Sequence, residues 1–148
     1  MVTKALRTIL LAEDSAADAE MTIDALQEAR LANPIVHVED GVDVLDYLYV
    51  RGAFGGRAAG LPAVLLLDIK MPRMDGLEVL QKIRDDPQFN RLPVVVLSSS
   101  REERDLALSW DLGVSAYVVK PVDADQFFSA VKAVGTFWAV INQSAEEH

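Results

Sequence analysis

The sequence contains no cysteine. That removes disulfides, thiolate nucleophiles and zinc held by Cys, and it suits a reducing, cytoplasmic setting. Positive charge is also short: 14 Lys and Arg face 23 Asp and Glu, a formal net charge of -9. Non-specific binding to nucleic acid or to an anionic membrane needs a basic patch, so neither partner is expected. No apolar run approaches the roughly 18 residues of a membrane span. The opening MVTKALRTILLAED has too short an apolar stretch for a signal peptide and no small-residue cleavage pattern. Histidine is scarce too. His37 falls in a strand-like run and His148 in the polar tail, so neither is a candidate for catalysis. Low-complexity character is confined to RGAFGGRAAG at residues 51–60, which reads as a flexible surface loop. What is present is ordinary for one compact domain: 148 residues, 51% hydrophobic and 25% charged, with no linker and no sign of a second unit within 1–148.

Two patterns alternate along the chain. Short β-rich apolar runs occupy residues 8–12 (TILLA), 35–38 (IVHV), 63–67 (AVLLL), 93–97 (PVVVL) and 116–119 (AYVV). Helical spacing fills the intervals. Residues 18–29 place Met21, Ile23, Leu26 and Ala29 near one face, and 42–50 carry Val44, Leu45, Leu48 and Tyr49. Residues 76–84 carry Leu77, Val79, Leu80 and Ile83, and 101–112 carry Leu106, Leu108 and Trp110. The last helix, 123–142, has a stripe of Phe127, Val131, Val134, Trp138 and Ile141. Prolines at 34, 62, 93 and 121 mark segment edges, where the preceding residue is pushed out of helical conformation. Five β/α repeats predict a parallel sheet with helices on both faces, because parallel strands need crossover connections. Strands covered on both sides show no polar alternation, as here. The expected fold is therefore an α/β doubly wound, five-stranded sheet of order 2-1-3-4-5.

Such sheets bind ligands beyond the carboxyl ends of their strands. The first run ends in Glu13-Asp14, the third in Asp68, the fourth in Ser98 and the fifth in Lys120. All four ends fall on one edge, so three carboxylates, a hydroxyl and an ammonium are expected to converge. Two carboxylates about 4 Å apart repel by roughly 1 kcal/mol in water and about 4 kcal/mol at an intermediate effective dielectric. Such a cluster traps protons or recruits a cation. Hard oxygen ligands with room for water and a phosphoryl group suit Mg²⁺. With charge neutralised, Asp68 can attack phosphorus to give an aspartyl-phosphate. Lys120 is placed to pair with a phosphoryl oxygen and Ser98 to donate to another. Each residue alone has a plainer explanation: Asp68 or Glu13-Asp14 could cap a helix, Ser98 could be a polar turn, and Asp75-Gly76 reads as a turn and helix start. Convergence on one edge is what favours chemistry.

The ordered set Glu13-Asp14, Asp68, MPRMDG, Ser98 and Lys120-Pro121 resembles the receiver domain of bacterial response regulators along nearly the whole chain. Within that family, ILLAEDSAADAEMTIDAL, the loop around RGAFGG and the ending FWAVIN resemble the stand-alone regulators that accompany phytochrome-type histidine kinases. The resemblance implies a single receiver domain without an output domain, phosphorylated on Asp68 by a sensor histidine kinase. It implies Mg²⁺ held by Glu13, Asp14, Asp68 and the backbone carbonyl of Lys70. It makes Ser98 and Tyr117 the switch pair and Lys120 the phosphate-binding lysine, with a cis bond to Pro121. A lysine at 70, flanking with Ser100 the line of water attack, implies slow loss of the phosphate.

Three functions compete. A phosphorylation switch needs every residue named above. A Mg²⁺-dependent phosphohydrolase would place a general acid two residues after the nucleophile, where this chain has Lys70, so turnover of external substrates is not expected. A degenerate receiver acting as a constitutive interaction module predicts loss of the acids or the lysine, and none is lost. Phe128 and Val140 fall off the last helix's stripe and Phe137 lies at its margin. With Trp110 and Leu112 they suggest a homodimer through the face of the fourth helix, fifth strand and fifth helix.

Overall fold

The computed structural model describes residues 7–134 apart from 30 and 32, with side chains as far as residue 130. Five strands, β1 (Ile9–Ala12), β2 (Ile35–Val38), β3 (Val64–Asp68), β4 (Val94–Ser98) and β5 (Ala116–Val119), form one parallel sheet of order β2-β1-β3-β4-β5. Between them run α1 (Ala16–Glu28), α2 (Gly41–Leu48), α3 (Gly76–Asp85) and α4 (Arg101–Ser109), and α5 (Ala124–Val134) follows β5. This is the doubly wound order expected from the alternating pattern. Ile9, Val64 and Ile35 are in register, as are Asp68 with Leu97 and Ser98 with Val119, so the strand ends line up along one edge.

Up to the Asp68 and Ser98 that end β3 and β4, the central strands are apolar at every position because both faces are covered. Alternate residues still separate by face. Leu10, Ala12, Leu65, Leu67, Val94 and Val96 pack with Val44, Leu48, Leu80 and Ile83 of α2 and α3. Ile9, Leu11, Val64, Leu66, Val95 and Leu97 pack with Ala19 and Leu26 of α1 and Phe127 of α5. Each fully buried Leu, Ile or Val of this kind contributes about 1.5–3 kcal/mol relative to exposure.

Helix starts are set by short polar side chains. Ser15 caps α1, accepting from Asp18 N at 3.2 Å; Asp40 caps α2, accepting from Asp43 N at 2.9 Å. Asp75 caps α3 and Ser100 caps α4 in the same way, at 2.9 and 3.2 Å. Asp123 Oδ1 accepts from Gln126 N at 2.8 Å at the start of α5. Each of these satisfies an amide that the helix itself leaves without a partner.

Three sequence expectations change. In the fourth helix, Leu106, Leu108 and Trp110 are 52%, 48% and 42% exposed while Ala107 is buried, and the helix stops at Ser109. Spacings of two cannot share one helical face, so these residues never formed a core stripe. In α1, Met21 is exposed, and Ala19, Thr22, Ala25 and Leu26 make the contact. The loop at 51–60 holds a single 3₁₀ turn (Gly52–Phe54). Phe54 packs edge-on against Tyr47, with ring centroids 5.2 Å apart, and Arg57 lies 3.9 Å from the centre of the Tyr47 ring. Arg57 also donates twice to the Tyr47 carbonyl, at 2.6 and 2.8 Å, so this segment is pinned to the domain. In the last helix Phe127 and Ala130 are buried and Phe128 is half-buried against the same core. Val131, Val134, Phe137, Trp138, Val140 and Ile141 lie outside the described side chains.

Candidate functional site

β1, β3 and β5 deliver their ends to one small space. Glu13 follows β1 and is fully buried; its Oε2 accepts from Ser15 N at 3.2 Å, and its backbone oxygen lies 2.7 Å from His37 Nε2. Asp14 is exposed beside it. Asp68, the last residue of β3, is buried. One carboxylate oxygen from each of Glu13, Asp14 and Asp68 lies within 4.8 Å of the others. Lys120, just beyond β5, brings its ammonium to 2.7 Å from Glu13 Oε1, 3.3 Å from Asp68 Oδ1 and 3.2 Å from Asp18 Oδ2. Its backbone amide donates to Ser98 O at 2.7 Å, and its bond to Pro121 is cis.

The plainer explanations for these acids fall away. α1 is capped by Ser15, not by Glu13 or Asp14; α3 by Asp75, not by Asp68; α4 by Ser100, not by Ser98. Glu13 and Asp68 are thus buried charges without a capping task, and burial of charge costs several kcal/mol unless it is compensated. Compensation is incomplete. Glu13 Oε1 and Asp68 Oδ1 lie within ion-pair distance of Lys120, yet neither accepts a directed hydrogen bond. Burial, followed by the Glu13 carboxyl, pushes the Asp68 carboxyl up to about 7, against the opposing pull of Lys120. For Lys120, burial opposes the charge, but Glu13, Asp68 and Asp18 outweigh it and raise the ammonium above its ordinary value. One ammonium does not balance the cluster. Three converging hard oxygen donors with a charge deficit of this kind fit a divalent cation such as Mg²⁺.

The loop after Asp68 is fixed at three points. Gly76 donates to Ile69 O at 2.6 Å, and a Cβ there would lie 2.2 Å from the Asp68 carbonyl oxygen, so this position admits only glycine. Met71 is buried in the core beneath the loop. Arg73 has left-handed backbone (φ 63) and reaches α2, donating through Nε to Asp40 at 2.8 Å and through Nη2 to Asp43 at 3.1 Å. Lys70 points outward, its side chain 78% exposed and its ammonium 3.7 Å from Glu103 of α4.

Ser98 is fully buried at the end of β4, with its hydroxyl directed to Val118 O at 3.4 Å. Tyr117 is half-buried against the core and lines an open groove of about 600 Å³ between α4, β5 and α5, together with Arg104, Val119, Asp125 and Ser129. Of the seven residues singled out in the sequence, Glu13, Asp14, Asp68 and Lys120 meet at this edge and Ser98 ends the strand beside Asp68; the Lys70 side chain turns outward, and Tyr117 sits within β5 in the groove. Two participants were missed. Asp18, in the first turn of α1, touches Lys120; Arg73 anchors the loop. The first was findable, because a helix that starts at a strand end turns its opening residues toward the same edge.

A five-stranded parallel sheet with this acid cluster and lysine at its carboxyl edge defines a class, and the comparisons agree on it. The chain belongs to the response regulator receiver domain family, whose model matches residues 9–132. It is 33% identical to response regulator Rcp1 of Synechocystis sp. over 132 residues, covering 89% of this chain and 88% of Rcp1. Among solved structures it is similar to the bacteriophytochrome response regulator AtBRR, at 51% identity and a TM-score of 0.88 over 94% of this chain and 99% of that one. The Mn²⁺-bound form of Rcp1 superposes with a TM-score of 0.71 at 32% identity, covering 89% of this chain and 94% of that one. Among the described residues no helix is long and apolar enough to cross a membrane.

Proposed function

We propose that this domain is a phosphorylation switch with Asp68 as phosphoacceptor. The observation that carries this reading is Asp68 itself, a buried carboxylate that ends a core strand, caps no helix and faces two further carboxylates and an ammonium. An Asp68 oxygen attacks phosphorus, the P–N bond of a kinase phosphohistidine breaks, and the imidazole nitrogen leaves with the bonding pair. Hydrolysis reverses the state: water adds at phosphorus, the P–O bond to Asp68 breaks, and inorganic phosphate leaves.

Glu13, Asp14, Asp68 and the backbone carbonyl of Lys70 would hold Mg²⁺, an assignment supported by the charge deficit of the cluster and by the Mn²⁺-bound relative. When bound, the cation neutralises the carboxylates and the incoming phosphoryl oxygens. Lys120 pairs with one phosphoryl oxygen. Ser98 exchanges its long bond to Val118 for another, and Tyr117 follows into the space beside α4. The added charge of about -1.5 to -2 is thereby converted into a changed α4–β5–α5 face.

The likeness to bacteriophytochrome regulators supports a phytochrome-type histidine kinase as donor, in the cytoplasm. Leu106, Leu108 and Trp110, large apolar side chains exposed on and just after α4, support a homodimer through the α4–β5–α5 face. The test of the central reading is intact mass after incubation with Mg²⁺ and acetyl phosphate. Wild type is expected to gain one phosphoryl group and Asp68→Asn none; equal behaviour of the two would sink the assignment.

A further inference from the structure

We propose that Asp18 is a positioning residue that competes with the phosphoryl group for Lys120 and so sets how readily the domain is phosphorylated. This rests on the reading of Asp68 as acceptor. Three carboxylates surround the Lys120 ammonium, at 2.7 Å (Glu13), 3.2 Å (Asp18) and 3.3 Å (Asp68). Among the described residues only the Asp18 contact has hydrogen-bond geometry. The ammonium thus sits among all three, closest to Glu13, with Asp18 holding it from the α1 side.

Exposure decides which contact yields. Glu13 is fully buried, so its charge must stay compensated by Lys120 or by a cation, and water cannot take over there. The Asp18 side chain is 38% exposed, so water takes over when the ammonium leaves. When a phosphoryl group on Asp68 draws Lys120 in, the bond to Asp18 is the one surrendered. A contact present only in the unphosphorylated state shifts the equilibrium toward that state. The Asp18 carboxylate also repels the phosphoryl charge. Both effects have the same sign.

The side chain of Asp18 is not needed for α1. Its backbone amide takes the Ser15 cap and its backbone oxygen accepts from Thr22 Oγ1 at 2.9 Å, and both bonds survive substitution. Acetyl phosphate donates the phosphoryl group, acetate leaving with the bonding pair. At saturating Mg²⁺, the concentration giving half-maximal phosphorylation by intact mass is expected to fall about fivefold in Asp18→Asn, as one partly exposed charge-assisted bond implies. Asp18→Glu is expected to stay near wild type, the Mg²⁺ affinity of Asp18→Asn to remain unchanged, and its unphosphorylated thermal midpoint to fall slightly, since the bond to Lys120 is lost from the folded state alone. An unchanged or higher half-maximal concentration in Asp18→Asn overturns the competition. A shift that vanishes once Mg²⁺ is saturating overturns it in favour of a role in cation binding. If wild type itself gains no phosphoryl group, the acceptor assignment falls and this role falls with it.

Discussion

A methyl group added at Gly76 would sit 2.2 Å from the carbonyl oxygen of Asp68 and 2.9 Å from Ile69 Cα. Both neighbours are backbone, and neither can rotate away. The strand end that carries the Asp68 carboxylate would have to move, and with it the geometry shared with Glu13 and Lys120. Gly76→Ala is expected to cost about 1–3 kcal/mol, the range for forcing a group into a filled interior. The same variant is expected to phosphorylate more slowly. Urea unfolding and a mass time course read the two effects; full stability in Gly76→Ala would show that the loop can open at no cost. Asp75, one residue earlier, acts independently by capping α3. The DG pair thus combines a helix start with a close approach, and only the first was visible in the sequence.

At the scale of elements, the five strands, their parallel order and the convergence of Glu13, Asp14, Asp68 and Lys120 at their ends were legible because a doubly covered strand and a strand-end acid leave local signals. Asp68 stands out against VLLL, and Lys120 against YVV. What was not legible depends on partners distant in sequence. Arg57 stacking on Tyr47 turns an apparently shapeless loop into a pinned one, and Arg73 needs Asp40 and Asp43 from the start of α2. The α4 stripe failed for a different reason. Leu106 and Trp110 are four residues apart and share a face, Leu108 does not, and the sheet is met by the small Ala107. Leu106 and Leu108 of α4, and Trp110 just after it, are thus left exposed. Leu106→Glu is expected to leave the unfolding midpoint within experimental error, since exposed positions tolerate substitution. It is also expected to weaken self-association about tenfold or more, as loss of a buried leucine implies. Sedimentation velocity across micromolar concentrations decides this. A wild type that is monomeric throughout would remove the dimer.

The whole molecule carries a formal charge of -9, and much of its site is negative as well. Stability should therefore depend on what neutralises Asp68. In the folded, metal-free protein its carboxyl is raised from the ordinary 3.8 to about 7 by burial and by Glu13. A raised acid pKa means that the folded state holds a proton which the unfolded chain has released. Wherever the folded state binds more protons, unfolding free energy falls as pH rises. The contribution of Asp68 is present below about pH 4 and is lost progressively up to about pH 7, by no more than about 1.4 kcal/mol per pH unit. Mg²⁺ bound at this cluster would take the place of that proton. It should stabilise more at pH 8, where the site is ionised, than at pH 5.5, where it must displace a proton, and by about 2.7 kcal/mol at a hundredfold excess over its dissociation constant. Asp68→Asn removes the titrating group, so its metal-free unfolding midpoint should change less between pH 5 and 8 than that of wild type. Urea titrations at four pH values, with EDTA and with Mg²⁺, measure both slopes. Parallel slopes for the two proteins in EDTA would mean that Lys120 already balances Asp68, and the need for a cation at this edge would lose its main physical support.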